Sequence, residues 1–153
     1  MLTCSVDLTE FRTLVGRTLD ALERRLELSV EQAAQEGAEE ARRVGQYQDR
    51  TGRLRAGITH YFVRSSGRSV TWEILSPMGY SQYVENPTRP HIIRARNARA
   101  LRFEVGGRTV YAKQVQHPGT KGYPFMSQGY LKAERVLWRE LEQLPKELGA
   151  VWR

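Results

Sequence analysis

The sequence has a single cysteine, Cys4, in 153 residues. One thiol forms no disulfide within the chain and is too few for a metal cage, so Cys4 reads as a bystander. Stability must come from packing, and oligomerisation can add to it. No run approaches the roughly 20 apolar residues of a membrane span. The first residues, Met1 to Asp7, lack the basic head and apolar centre of a secretory signal. The chain is therefore expected to stay in the cytoplasm where it is made, away from the membrane.

The groups from which enzymes are built are also sparse. There are three histidines, His60, His91 and His117. None has the four-residue spacing of a helical metal pair. His60 falls in a predicted strand, while His91 and His117 flank a basic segment and are expected to approach one another across a hairpin. No glycine-rich phosphate loop joins a strand to a helix, and no Gly-x-Ser-x-Gly motif is present. Most acids lie on two amphipathic helices. Only Glu73, Glu85 and Glu104 fall in the central region, and their spacing matches no nuclease metal site. No catalytic residue, cofactor or metal is expected, and the chain reads as a non-enzyme.

Acidic residues are nearly missing from one stretch. Residues 89–121 carry eight basic groups, Arg89, Arg94, Arg96, Arg99, Arg102, Arg108, Lys113 and Lys121, against Glu104 alone. That surplus equals the net charge of the whole chain, +7. Such a concentrated field attracts nucleic acid, an acidic protein surface or the acidic helix face of a neighbouring copy. Arginines of this kind would hold phosphates without reading sequence. No Phe, Tyr or Trp interrupts the run from Arg89 to Arg102, so the aromatic platform of a single-strand binder is absent. Arg94, Arg96 and Arg99 are expected on a projecting loop.

What is present is one α+β domain over residues 1–153. Apolar residues from Leu8 through Phe11, Val15, Leu19, Leu22, Leu26, Val30, Ala33, Gly37 and Ala41 to Val44 recur at steps of three or four. They predict one long helix over 7–45, with Asp7 as N-cap and Glu10 closing a capping box. Its second half thins to Ala and Gly, which suits close packing on another helix. Gly16 and Gly37 are candidate bends, and Arg24, Arg25, Glu31, Glu36, Glu39 and Glu40 lie on the opposite face. A short turn or helix over 51–58 follows. Residues 60–64 and 70–75 form a hairpin joined by a loop of four to five residues. Tyr80–Glu85 suits one helical turn. Residues 100–105 and 108–115 form a second hairpin around Gly106-Gly107, a tight-turn signal. The expected sheet thus has about four antiparallel strands, with an extended basic loop region within 86–121. A helix over 125–144 is expected to stop at Pro145, leaving a tail ordered in an assembly.

Several of these pieces together resemble one family. They are the long first helix, Thr51-Gly52-Arg53-Leu54-Arg55, and the segment from Tyr80-Ser81-Gln82-Tyr83-Val84-Glu85 to His91. The hairpin from Ala100 through Gly106-Gly107 follows, then His117-Pro118-Gly119-Thr120-Lys121 and Tyr123-Pro124-Phe125 before the last helix. The order and spacing are similar to those of the minor tail-component, or tail-completion, proteins of long-tailed phages, also called neck or head–tail joining proteins. Pro87 stands where that family usually has glycine, Ser81 where it has alanine, and Ser127-Gln128-Gly129 where it shows proline and alanine. The resemblance implies a structural virion protein, assembled in the bacterial host cytoplasm. It implies a ring of six or twelve copies at the head–tail junction, around the DNA channel. The implied partners are other neck or connector proteins, the tail tube protein and, without sequence preference, the DNA. Two other readings stay open: a tail terminator capping the tube, and a small basic nucleic-acid-binding protein. A metal-dependent nuclease using His91, His117 and an acid is the enzymatic alternative.

Overall fold

The computed structural model describes residues 7–66 and 69–151. Cys4, and Gly67-Arg68 of the first hairpin loop, lie outside the described residues. The fold is α+β, with a long helix near each end and small antiparallel ladders between them.

Helix α1 spans Thr9–Arg43, 35 residues, or roughly 52 Å at helical rise. It is two residues shorter at each end than the apolar periodicity predicts. Asp7 stands just outside it: its Oδ1 accepts from the Thr9 N–H at 2.9 Å and the Thr9 hydroxyl at 2.6 Å. The expected capping box is not formed, because the N-cap is Leu8. At the other end, the guanidinium of Arg55 donates to the carbonyls of Arg42 and Gly45. The first is a helix-end acceptor left without an intrahelical partner, and the second lies just past the C-cap Val44. Arg55 also lies over the Tyr47 ring, 4.7 Å from its centroid, a cation–π contact. It belongs to the short helix α2, Arg53–Gly57, whose Leu54 is fully buried.

Helix α4, Phe125–Val151, packs along α1. Small residues set how closely the two approach. A Cβ on Gly129 would stand 2.6 Å from the Gly37 carbonyl oxygen, and a Cβ on Gly37 would stand 2.8 Å from that of Gly129. Gly37 is therefore a helix contact, not a bend. Away from this crossing the helices are joined by charge. Arg25 donates to Glu140 at 2.9 Å and to Glu147 at 2.9 Å. Glu36 accepts from Lys132 at 3.0 Å and from Arg139 at 3.2 Å. Arg25 and Glu36, expected on the solvated face, thus line the helix pair. Burial pushes the Glu36 carboxyl up, but Lys132, Gln32 and Arg139 together hold it below the ordinary carboxylate value. The bond from Arg25 likewise lowers Glu147.

Pro145 does not stop the last helix, which runs on to Val151. A proline inside a helix forfeits one ladder hydrogen bond and crowds the preceding turn. Leu144, just before Pro145, is buried, and the Arg25–Glu147 pair ties α4 to α1 just beyond it. The expected tail from Lys146 is helix through Val151.

Strands β1, Thr59–Ser66, and β2, Ser69–Leu75, form the first hairpin, with a register shift between Phe62 and Arg64. Pairing reaches Ser66 and Ser69, so the strands run into the segment expected as loop. The hairpin lies on α1 and contributes Ile74 to the core. There Ala34, Ala38, Ala41, Tyr47, Leu54, Ile58 and Phe125 meet it. Only the small-residue half of the α1 stripe is buried this way. Phe11 is 56% exposed and Leu19 55%.

Candidate functional site: a basic ribbon arm

The basic segment is an arm, not a loop. A short helix, α3, Ser81–Glu85, precedes it. Strands β3, His91–Arg94, and β6, Gln114–His117, pair as its stem. Strands β4, Leu101–Val105, and β5, Arg108–Ala112, pair as its tip around Gly106 and Gly107, both at positive φ. The expected second hairpin is thus the end of a longer ribbon. The described residues hold six short strands in three two-stranded ladders, not one sheet of four.

The register shows how the arm is built. Paired residue numbers sum to 208 at Thr88–Thr120 and throughout the stem, and to 213 throughout the tip. The outgoing side therefore carries five more residues than the returning one. Ala95 still follows the stem register, donating its N–H to the Lys113 carbonyl at 3.1 Å. The insertion is then Arg96 to Ala100, and it presents Arg96 and Arg99. Arg94 sits in β3 rather than in a loop.

Glu85 fixes the arm's root to the body. Its carboxylate accepts from the Met126 N–H at 2.8 Å and the Ser127 N–H at 3.0 Å, at the start of α4. There the first N–H groups of a helix lack partners and the macrodipole favours a negative charge. Glu85 is therefore a helix cap, remote in role from any acid cluster. Above it, Thr88 and Thr120 exchange backbone hydrogen bonds at 3.0 and 3.1 Å. Gly119, φ +85, leaves no room for a Cβ against the Thr88 carbonyl. Glycine is what lets the returning chain cross this close.

All eight basic residues of the segment are exposed, and no residue from Pro87 to Lys121 is buried. None of the eight takes part in an ion pair among the described residues. Arg94 reaches only Gln114, at 3.5 Å, and Lys121 lies over the Tyr123 ring. The tip has two unlike faces. Leu101, Phe103 and Val105 alternate with Arg102 and Glu104, and register places Val110 and Ala112 beside the apolar set, with Arg108 next to Val105 at its end. Val105 is 57% exposed, and Tyr111 on the other face 66%. A two-stranded ribbon with one apolar face is marginal alone and needs a further layer on that face.

His91 and His117 meet as expected. They are register partners with ring centroids 5.0 Å apart. The Nδ1 of His91 lies 2.9 Å from the Arg89 carbonyl oxygen, so it bears the proton and donates. The Nδ1 of His117 accepts from the Gly119 N–H at 3.0 Å, so its proton is on Nε2. A cation held by both exposed Nε2 atoms would move that proton to Nδ1, against the Gly119 N–H. The pair is wired for the arm's base rather than for a metal. No group of three or more metal-ligating side chains occurs among the described residues. Glu73 accepts from the Tyr61 hydroxyl on the first hairpin, Glu85 caps α4, and Glu104 is at the arm tip, so the three central acids do not converge.

Composition located the basic residues. The stem was missed because β3 and β6 are four residues each and sit among prolines and glycines. The readable signal is the β-branched pair Ile92-Ile93 and the single Val115 on either side of the Gly-Gly turn.

No family model matches the chain, and no curated protein or solved structure matches it either.

Proposed function

We propose that this chain is a structural virion protein of a long-tailed phage. In this reading it forms a ring of six or twelve copies at the head–tail junction around the DNA channel, and it is not an enzyme. Its partners are further copies, other neck or connector proteins and the tail tube protein. The observation that carries the reading is the surface. The chain exposes 12212 Å², whereas a compact monomer of 17.6 kDa exposes roughly 7,900 Å². The excess is of the order of 4,000 Å², more than a standard interface takes from one partner. The arm and the first half of α1 are among the parts that leave apolar side chains uncovered, Phe11, Leu19, Ile92 and Val105 being more than half exposed. A small ordered body with two such projections suits repeated contacts between identical subunits.

Inactivating the gene and imaging the lysate tests this. Filled heads beside finished, unattached tails are the expected result. Tails of uncontrolled length would instead mean a tail terminator, and normal particles would contradict both.

A second reading rests on the arm's charge. A two-stranded ribbon fits the major groove of duplex DNA, and unpaired arginines bind phosphate. Replacing Arg94, Arg96 and Arg99 with alanine separates the two. A DNA binder loses affinity with a salt slope reduced by nearly 3, while a ring protein keeps its weak DNA contact and loses assembly.

A further inference from the structure

The arm's charge and its apolar face both lack a partner within the chain, and the body carries a surface of opposite character. Between Asp20 and Glu40, α1 has seven acidic residues and two basic ones, and of the seven Glu36 and Glu40 are already paired with Lys132, Arg139 and Arg43. Where this stretch meets the β1–β2 hairpin, two pockets of about 320 and 260 Å³ share Glu27 as a wall. Glu23 and Glu31 stand beside it, with Arg24 the one cation among the lining residues. Leu28, Phe62 and Trp72 form the apolar floor of the smaller pocket. Glu23 and Glu31 have no ion-pair partner among the described residues. The arm reaches roughly 50 Å from Thr88 to its tip at strand rise. A compact domain of this length has a radius of gyration of about 15 Å, so an arm of that length is long enough to reach a neighbouring copy.

We propose that the arm of one copy lies in the acidic groove between α1 and the β1–β2 hairpin of the next copy. Phe103, Val105 and Val110 cover the floor, while Arg108, which pairs with Val105 on that same face, meets Glu23, Glu27 and Glu31. The occupant is a second copy of this chain. The surplus of seven positive charges meets the acidic stretch of the same sequence, and the ribbon's apolar face gains the layer it lacks. Arm and groove are different surfaces, so the contact is head-to-tail and propagates until it closes. The inference rests on the ring reading and specifies its interface.

The test is sedimentation of the full chain over a range of concentration and salt. Two charge-reversed variants accompany it: R108E in the arm and E23K/E31K in the groove. The wild type is expected to associate, less so in high salt. Each variant alone is expected to associate at least about tenfold more weakly. Mixed in equal amounts they are expected to recover, because each then offers the charge the other needs. Unfolding midpoints equal to wild type show that both variants fold. If a midpoint falls, R108Q and E23Q/E31Q replace them, with weakened self-association as the readout. A wild type that stays monomeric at its solubility limit in low salt overturns the proposal. So does a folded pair that associates like wild type or fails to recover on mixing. Association that appears only with duplex DNA overturns it in favour of phosphate contact. A chain present in particles in ring copy number, with both variants assembling normally, removes this interface and leaves the ring. A chain absent from particles removes the ring reading itself.

Discussion

Gly37 and Gly129 are where a single hydrogen atom decides how two helices meet. Alanine favours a helix over glycine by about 1 kcal/mol, so propensity alone would make Gly129→Ala stabilising. The added Cβ, however, meets the Gly37 carbonyl at 2.6 Å and the Ala41 methyl at 2.9 Å. Backbone cannot yield as a flexible side chain does, so Gly129→Ala is expected to destabilise the fold by roughly 1–3 kcal/mol in urea unfolding. Gly16 has nothing within 4 Å of its would-be Cβ. Gly16→Ala is therefore expected to stabilise by up to about 1 kcal/mol. Equal effects at the two sites would show that the helices do not approach this closely. The acid response also belongs to single residues. The Glu36 carboxyl is held below its ordinary value, so its folded pKa lies under its unfolded one. Its contribution is complete above the usual carboxylate range and is lost as pH falls through the folded value. The gap in melting temperature between wild type and Glu36→Gln should narrow over that window. A gap constant with pH would mean that Lys132 and Arg139 do not hold this carboxylate.

The arm is the element whose behaviour should separate from the rest. None of its residues from Pro87 to Lys121 is buried, so its order depends on its ladders and on the crossing at Gly119. Gly119→Ala is expected to open the segment to protease between residues 87 and 122 while the α1–α4 body keeps its melting temperature. Loss of the whole body would show that the arm is part of the core. The elements also show what the sequence could convey. The two long helices, the first hairpin and the Gly106-Gly107 turn are legible because each carries a local period or a turn pair. The stem is not, since β3 and β6 hold each other by cross-strand pairing between residues 20 or more apart in sequence. The reach of α4 past Pro145 was hidden for a similar reason: the compensating contact, Arg25 with Glu147, is long-range. The eight cations of the candidate site were evident from composition, but that they stand on a ribbon with an uncovered apolar face was not.

For the whole molecule the question is what covers the surface that one copy leaves open. The α1 stripe from Leu8 to Leu19, the arm's apolar face and the excess area all ask for neighbours, and a ring of copies supplies them repeatedly. Alanine at Arg94, Arg96 and Arg99 should leave the melting temperature of the isolated chain unchanged, because these side chains are exposed and unpaired, while lowering the yield of joined particles. The most direct measurement is quantitative mass spectrometry of purified particles of the phage that encodes the chain, counting its copies against the major tail protein. Six or twelve copies per particle is the expected result. Its absence from intact particles would contradict the account.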